Sequence, residues 1–123
     1  MVVLVVDDED DLREAIADLL RRRGYSVFVA ANGQAALTLL RGGQPLRPAL
    51  ILLDLAMPIM DGRQLLAVIR GDPAMSDIPV VVASAQPCAD TASGESGLLR
   101  KPFELEELFA TVDSYCRPGA PPR

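Results

Sequence analysis

The first apolar run, Val2 to Val6, reads VVLVV and stops against the acidic cluster DDEDD. A short run rich in β-branched residues, with no polar residue in alternation, is the signature of a strand buried on both faces. Further strands are read at Tyr25–Ala30, Leu50–Leu53 and Pro79–Ala83, with a short fifth at Leu98–Arg100. Between the runs the spacing switches to that of helices. Leu12, Ala15, Ile16, Leu19 and Leu20 repeat at helical intervals, with Asp10 and Asp11 leading, arginines closing and Gly24 just beyond. Gln34–Arg41 predicts a second helix ended by Gly42 and Gly43, Arg63–Arg70 a third, and Glu104–Cys116 a last one, with Leu105, Leu108, Phe109 and Val112 on one face. Strands alternating with helices imply an α/β fold, a doubly wound parallel sheet covered on both faces and built from right-handed crossovers. A length of 123 residues, half of them apolar, sustains one such domain and not two.

Open sheets of this kind bind ligands outside the carboxyl ends of their strands. The residues just past each strand are therefore informative: Asp7 and Asp8 after the first, Asp54 after the third, Ser84 after the fourth and Lys101 after the fifth. Like charges about 4 Å apart cost on the order of 4 kcal/mol per pair at an effective dielectric of 20, so three carboxylates at one edge call for a cation. An all-oxygen set with few protein ligands suits Mg²⁺, which keeps several of its waters. Asp7, Asp8 and Asp54 give three negative charges, and Mg²⁺ with Lys101 gives three positive ones. Such a site invites a phosphoryl group, held by metal, ammonium and the Ser84 hydroxyl, and a central carboxylate can be its nucleophile. Asp54, on the middle strand, is the best placed. Asp7 and Asp8 would hold the metal, Asp8 directly, with the backbone carbonyl of Ala56 as a further ligand.

Composition removes several alternatives. The chain has no histidine, which excludes histidine acid–base chemistry and histidine metal sites. Its net charge of -5, with no basic stripe beyond Arg21, Arg22 and Arg23, argues against a nucleic-acid surface on this domain. Cys88 and Cys116 lack metal-ligand or CxxC spacing and read as free thiols. The segment MVVLVV lacks a cationic flank, and no apolar run approaches bilayer length, so an intracellular, cytoplasmic protein without membrane attachment is expected. Alone, each site residue has a plainer explanation: helix capping for the acids, a turn for Ser84 and for Asp61-Gly62, solvation for a lysine before proline. Their joint occurrence at four strand ends is what carries weight. Lys101, the sole lysine among twelve basic residues, falls there too.

Together VVDDE at 5–9, LLDLAMPIMDG at 52–62, ASA at 83–85 and KPF at 101–103 resemble the receiver domain of two-component response regulators, the CheY-like family, from Val2 to about Cys116. The resemblance implies a five-stranded, flavodoxin-like sheet in the order 2-1-3-4-5. It implies transfer of a phosphoryl group from the phosphohistidine of a sensor histidine kinase or phosphotransfer protein onto Asp54. It also implies Mg²⁺ at Asp7 and Asp8, a switch hydroxyl at Ser84, a phosphate-binding amine at Lys101, and a downstream protein target. On this reading the chain is not an enzyme beyond Mg²⁺-dependent self-phosphorylation and autodephosphorylation. Residues 1–117 form the domain, and 118–123 a tail or the start of a linker.

Two features depart from the family pattern. An aromatic usually stands three residues before the lysine, where this chain has Leu98. The segment from Ala85 to Gly97 is polar, broken by Pro87, Gly94 and Gly97, and short by more than a helical turn. A fourth crossover helix is therefore expected to be short or absent, and the output face atypical. Three rivals share parts of the pattern. A flavodoxin-type nucleotide binder needs a hydroxyl- and glycine-rich loop where this chain has DDEDD. A phosphatase with an aspartyl nucleophile places a second acid where Ala56 stands. The third is a receiver-fold interaction module that signals without phosphorylation.

Overall fold

The structure, a computed structural model, describes residues 2–42, 47–54, 62–84, 97–101 and 103–116. All five apolar runs become strands: β1 Val2–Val6, β2 Ser26–Ala30, β3 Leu50–Asp54, β4 Val80–Ser84 and β5 Gly97–Arg100. Among the described residues the helices are α1 Asp10–Arg22, α2 Gly33–Arg41, α3 Gly62–Gly71 and α4 Leu105–Cys116. These bounds fall within a residue or two of those read from periodicity. All strand pairings are parallel and the sheet order is β2-β1-β3-β4-β5, the order the family resemblance implies. Residues 85–96, where the short fourth crossover is expected, and the tail from 117 onward lie outside the described residues, as does Cys88.

Alternation along each strand sorts its side chains between two cores. Leu4, Val6, Ile51, Leu53, Val80 and Val82 face α2 and α3. Val3, Val5, Leu50, Leu52, Val81 and Leu99 face α1 and α4. The three inner strands are consequently apolar on both sides, which is why their sequences show no alternation.

Local chemistry fixes the helix ends. The Asn32 side chain accepts from the Ala35 N–H at 2.8 Å and caps α2. At the end of α1, Gly24 takes a positive φ of 100°, a conformation that L side chains rarely adopt, and turns the chain into β2. The three arginines before it are used inside the fold. Arg21 donates to the Val27 carbonyl at 2.9 Å, Arg22 pairs with Asp18 at 3.2 Å, and Arg23 pairs with Asp113 at 2.5 Å while lying over the Phe109 ring. Asp113 also accepts from the Tyr25 hydroxyl, so a buried carboxylate ties α4 to the α1–β2 turn. Cys116 is buried in the α1/α4 core. No described helix is long and apolar enough to cross a membrane.

Candidate functional site

β1 and β3 are neighbours, with Val6 in register with Leu53. That register sets Asp7, one residue past β1, beside Asp54, the last residue of β3. Parity adds a second constraint. Asp7 continues the alternation of Val3 and Val5, Asp54 that of Leu50 and Leu52, and Lys101 that of Leu99, all on the α1/α4 side of the sheet. The three side chains meet there. The Lys101 ammonium donates to Asp7 Oδ2 at 3.2 Å and lies 3.6 Å from Asp54 Oδ1.

Burial divides the three acids. Asp7 is 3% exposed and Asp54 9%, whereas Asp8 is exposed. Both oxygens of Asp7 are engaged, Oδ2 by Lys101 and Oδ1 by the Glu9 backbone N–H at 2.9 Å. Asp7 is thus held rigidly inside, while Asp8 stands at the rim, where an incoming cation with its waters can reach it. Carboxylate oxygens of Asp7, Asp8 and Asp54 lie within 4.8 Å of one another. One ammonium among three carboxylates leaves two negative charges, which one divalent ion balances. Hard oxygen donors, a solvent-facing member and this charge deficit fit Mg²⁺.

The other two expected participants lie outside what is described. Ser84 ends β4 in register with Arg100, which brings its backbone to this edge, but its hydroxyl, like the Ala56 carbonyl, lies outside the described residues. Among the described residues, the space enclosed below the site is about 10 Å³, bordered by Asp7, Ile16, Asp54, Ala83, Lys101 and Phe103. It has room for about one water.

Sequence reading missed Arg13, whose guanidinium donates to the Asp7 main-chain carbonyl at 2.9 Å and to Asp10 Oδ1 at 2.7 Å. The available signal was the Asp10–Arg13 spacing of three, which places the two side chains on one helix face.

Comparison with known proteins gives the family. The family profile described as response regulator receiver domain matches residues 3–113. The chain belongs to the response regulator receiver domain family of two-component signalling. It is 38% identical over 122 residues to the DNA-binding response regulator MtrA of Mycolicibacterium smegmatis, an alignment covering 94% of this chain and 50% of that protein. The chain therefore spans about half the length of that curated relative. Among solved structures it is similar to chemotaxis response regulator CheY4 of Vibrio cholerae, at 29% identity and a TM-score of 0.82, covering 93% of this chain and 97% of that one. It is likewise similar to response regulator TrrA of Thermotoga maritima in complex with Mg²⁺-BeF, at 29% identity and a TM-score of 0.80, with the same two coverages.

Proposed function

We propose that this chain is a phosphoacceptor receiver domain that takes a phosphoryl group from the phosphohistidine of a sensor histidine kinase or phosphotransfer protein onto Asp54. The observation that carries the reading is the placement of Asp54. It ends the central strand, nearly buried, 3.6 Å from the only ammonium side chain of the protein and within 4.8 Å of two further carboxylates. In the reaction an Asp54 oxygen attacks phosphorus in line as the bond from phosphorus to the donor's imidazole nitrogen breaks. The imidazole leaves with the bonding pair and takes up a proton, and Asp54 becomes an aspartyl phosphate. Lys101 shifts from its carboxylate partners to a phosphoryl oxygen, and the Ser84 hydroxyl is assigned another. Asp7, Asp8, Asp54 and the Ala56 carbonyl would hold Mg²⁺, which when bound would supply charge neutralisation for the phosphoryl oxygens; the Mg²⁺-BeF complex of TrrA supports the choice of metal.

No separate catalytic cycle on an external substrate follows from this set, so the chemistry is limited to self-phosphorylation and its hydrolytic reversal. We assign the domain to the cytoplasm, with a protein as its downstream target and no nucleic-acid contact of its own. The test is intact mass after incubation with acetyl phosphate, with and without Mg²⁺. One phosphoryl group is expected on the parent with metal and none on Asp54→Asn. A variant that still gains the group shows that Asp54 is not the acceptor.

A further inference from the structure

Arg13 is mostly buried, with its side chain 13% exposed, one turn into α1. One terminal nitrogen donates to the Asp7 carbonyl and the other to Asp10 Oδ1. Its Nε is buried without a hydrogen-bond partner and lies 3.7 Å from the nearest Glu14 carboxylate oxygen. Guanidinium donors form one rigid plane, so two fixed bonds dictate where the third donor points. Here that third donor is left unsatisfied, which is unfavourable. The Asp7 carbonyl and Asp10, rather than full satisfaction of the guanidinium, therefore set its orientation.

The Asp7 carbonyl belongs to the peptide that leads into Asp8. Asp7 is otherwise anchored on every side: its N–H donates to the Ala30 carbonyl at 3.1 Å, and its carboxylate is held by Glu9 and Lys101. Asp8 is different. It is exposed, and among the described residues its carboxylate makes no hydrogen bond or ion pair. Its direction consequently depends on the backbone beneath it, which is braced on one side by the Arg13 bond to the Asp7 carbonyl and on the other by the Glu9 N–H bond to Asp7 Oδ1.

We infer that Arg13 is a positioning residue: it locks the Asp7–Asp8 peptide so that the Asp8 carboxylate faces the divalent cation. The inference rests on the reading of Asp8 as a direct metal ligand. Residues behind a metal ligand typically change affinity by about 10- to 100-fold when removed. Arg13→Met keeps the apolar stem and removes all donors, and Arg13→Lys keeps one charge without the planar fork.

The experiment is titration of the full chain with Mn²⁺ alone, reading free Mn²⁺ by electron paramagnetic resonance, with affinities compared per folded molecule from a parallel metal-free melt. Arg13→Met is expected to bind about tenfold more weakly. Arg13→Lys should fall between it and the parent. Affinity of Arg13→Met within twofold of the parent overturns the inference. Should Arg13→Met fail to fold, Arg13→Lys decides: binding about threefold weaker supports the inference, and parental binding overturns it. Asp8→Asn separates the two claims. If Asp8→Asn binds like the parent, the ligand reading fails and the inference with it; if Asp8→Asn loses binding while the Arg13 variants do not, only the role of Arg13 fails.

Discussion

Asp54→Asn removes one charge from a cluster held together without a metal by a single ammonium. Lys101 at 3.6 Å attracts the Asp54 charge by about 4.6 kcal/mol at an effective dielectric of 20. Asp7 and Asp8, each with an oxygen within 4.8 Å, repel it by at least about 3.5 kcal/mol apiece on the same scale. The Asp8 share must be discounted because that side chain is exposed and screened. With the Asp8 share cut to about 1 kcal/mol or less, attraction and repulsion nearly cancel, and the desolvation of a carboxylate only 9% exposed tips the balance against the Asp54 charge. Metal-free Asp54→Asn should therefore be more stable than the parent, with a melting temperature higher by about 3–8 °C for a chain of this size. The assay is a thermal melt in EDTA at low salt, repeated in Mg²⁺. Metal should raise the parent more than the variant and narrow the gap, since only the parent keeps the full ligand set. A variant equal to or less stable than the parent in EDTA would refute the view that the Asp54 charge is a net cost to the fold until a cation arrives.

Lys101→Arg keeps the charge but replaces a compact ammonium, bonded to Asp7 at 3.2 Å, with a planar fork too broad for the same corner. Phosphorylation-dependent hydrogen exchange should be lost in this variant, and an unchanged response removes Lys101 from the mechanism. Tyr25→Phe deletes a donor to the buried Asp113 carboxylate at the amino end of the sheet, far from Asp54. It should lower stability by about 1–2 kcal/mol in a denaturant titration and leave Mn²⁺ affinity unchanged; a change in metal affinity would contradict that separation. The Asp72 carboxyl is held below its ordinary value, first by the Ala74 N–H and then by Arg41. Because the folded pKa is depressed, its stabilising contribution is present above the ordinary value near 3.8 and is lost as pH falls through the folded pKa. The small stability advantage of the parent over Asp72→Asn at neutral pH should thus narrow below about pH 4, and a gap that widens on acidification would reverse the sign of this linkage.

The layers and the acids were legible because they rest on local signals. Runs such as VVLVV and LILL can be only strands buried on both faces or pieces of buried helix, and their length and β-branching decide between the two. Residues at strand ends then become candidates by position alone. Contacts that cross between elements leave no such trace. Nothing in the spacing of Arg23, Tyr25 and Asp113 announces that they meet, since 88 residues separate the tyrosine from its acid. Arg13 was hidden for a different reason: an arginine on the first turn of an amphipathic helix reads as solvated, and only the folded chain brings its guanidinium over the end of β1. The sequence put Asp8 directly on the metal, but it could not rank Asp7 and Asp8 by burial. That ranking depends on which of two adjacent side chains continues the inward parity of β1.

The reach of Lys101 shows how the sheet and the site depend on each other. β5 is an edge strand, two positions from β3 and three from β1, and neighbouring strands stand about 4.8 Å apart. A lysine following β5 must therefore lean across the end of β4 to touch both Asp54 and Asp7. The residue of β4 in register with Asp54 and with Leu99 is Ala83, which borders the same small cavity as the two charged groups. A side chain with one methyl group leaves that passage open, and a branched one of the same parity would fill it. The length of lysine, the smallness of Ala83 and the shared parity of Asp7, Asp54 and Lys101 thus act as one constraint. It accounts for why a residue from the sheet's edge, rather than one from a nearer strand, supplies the positive charge at its centre.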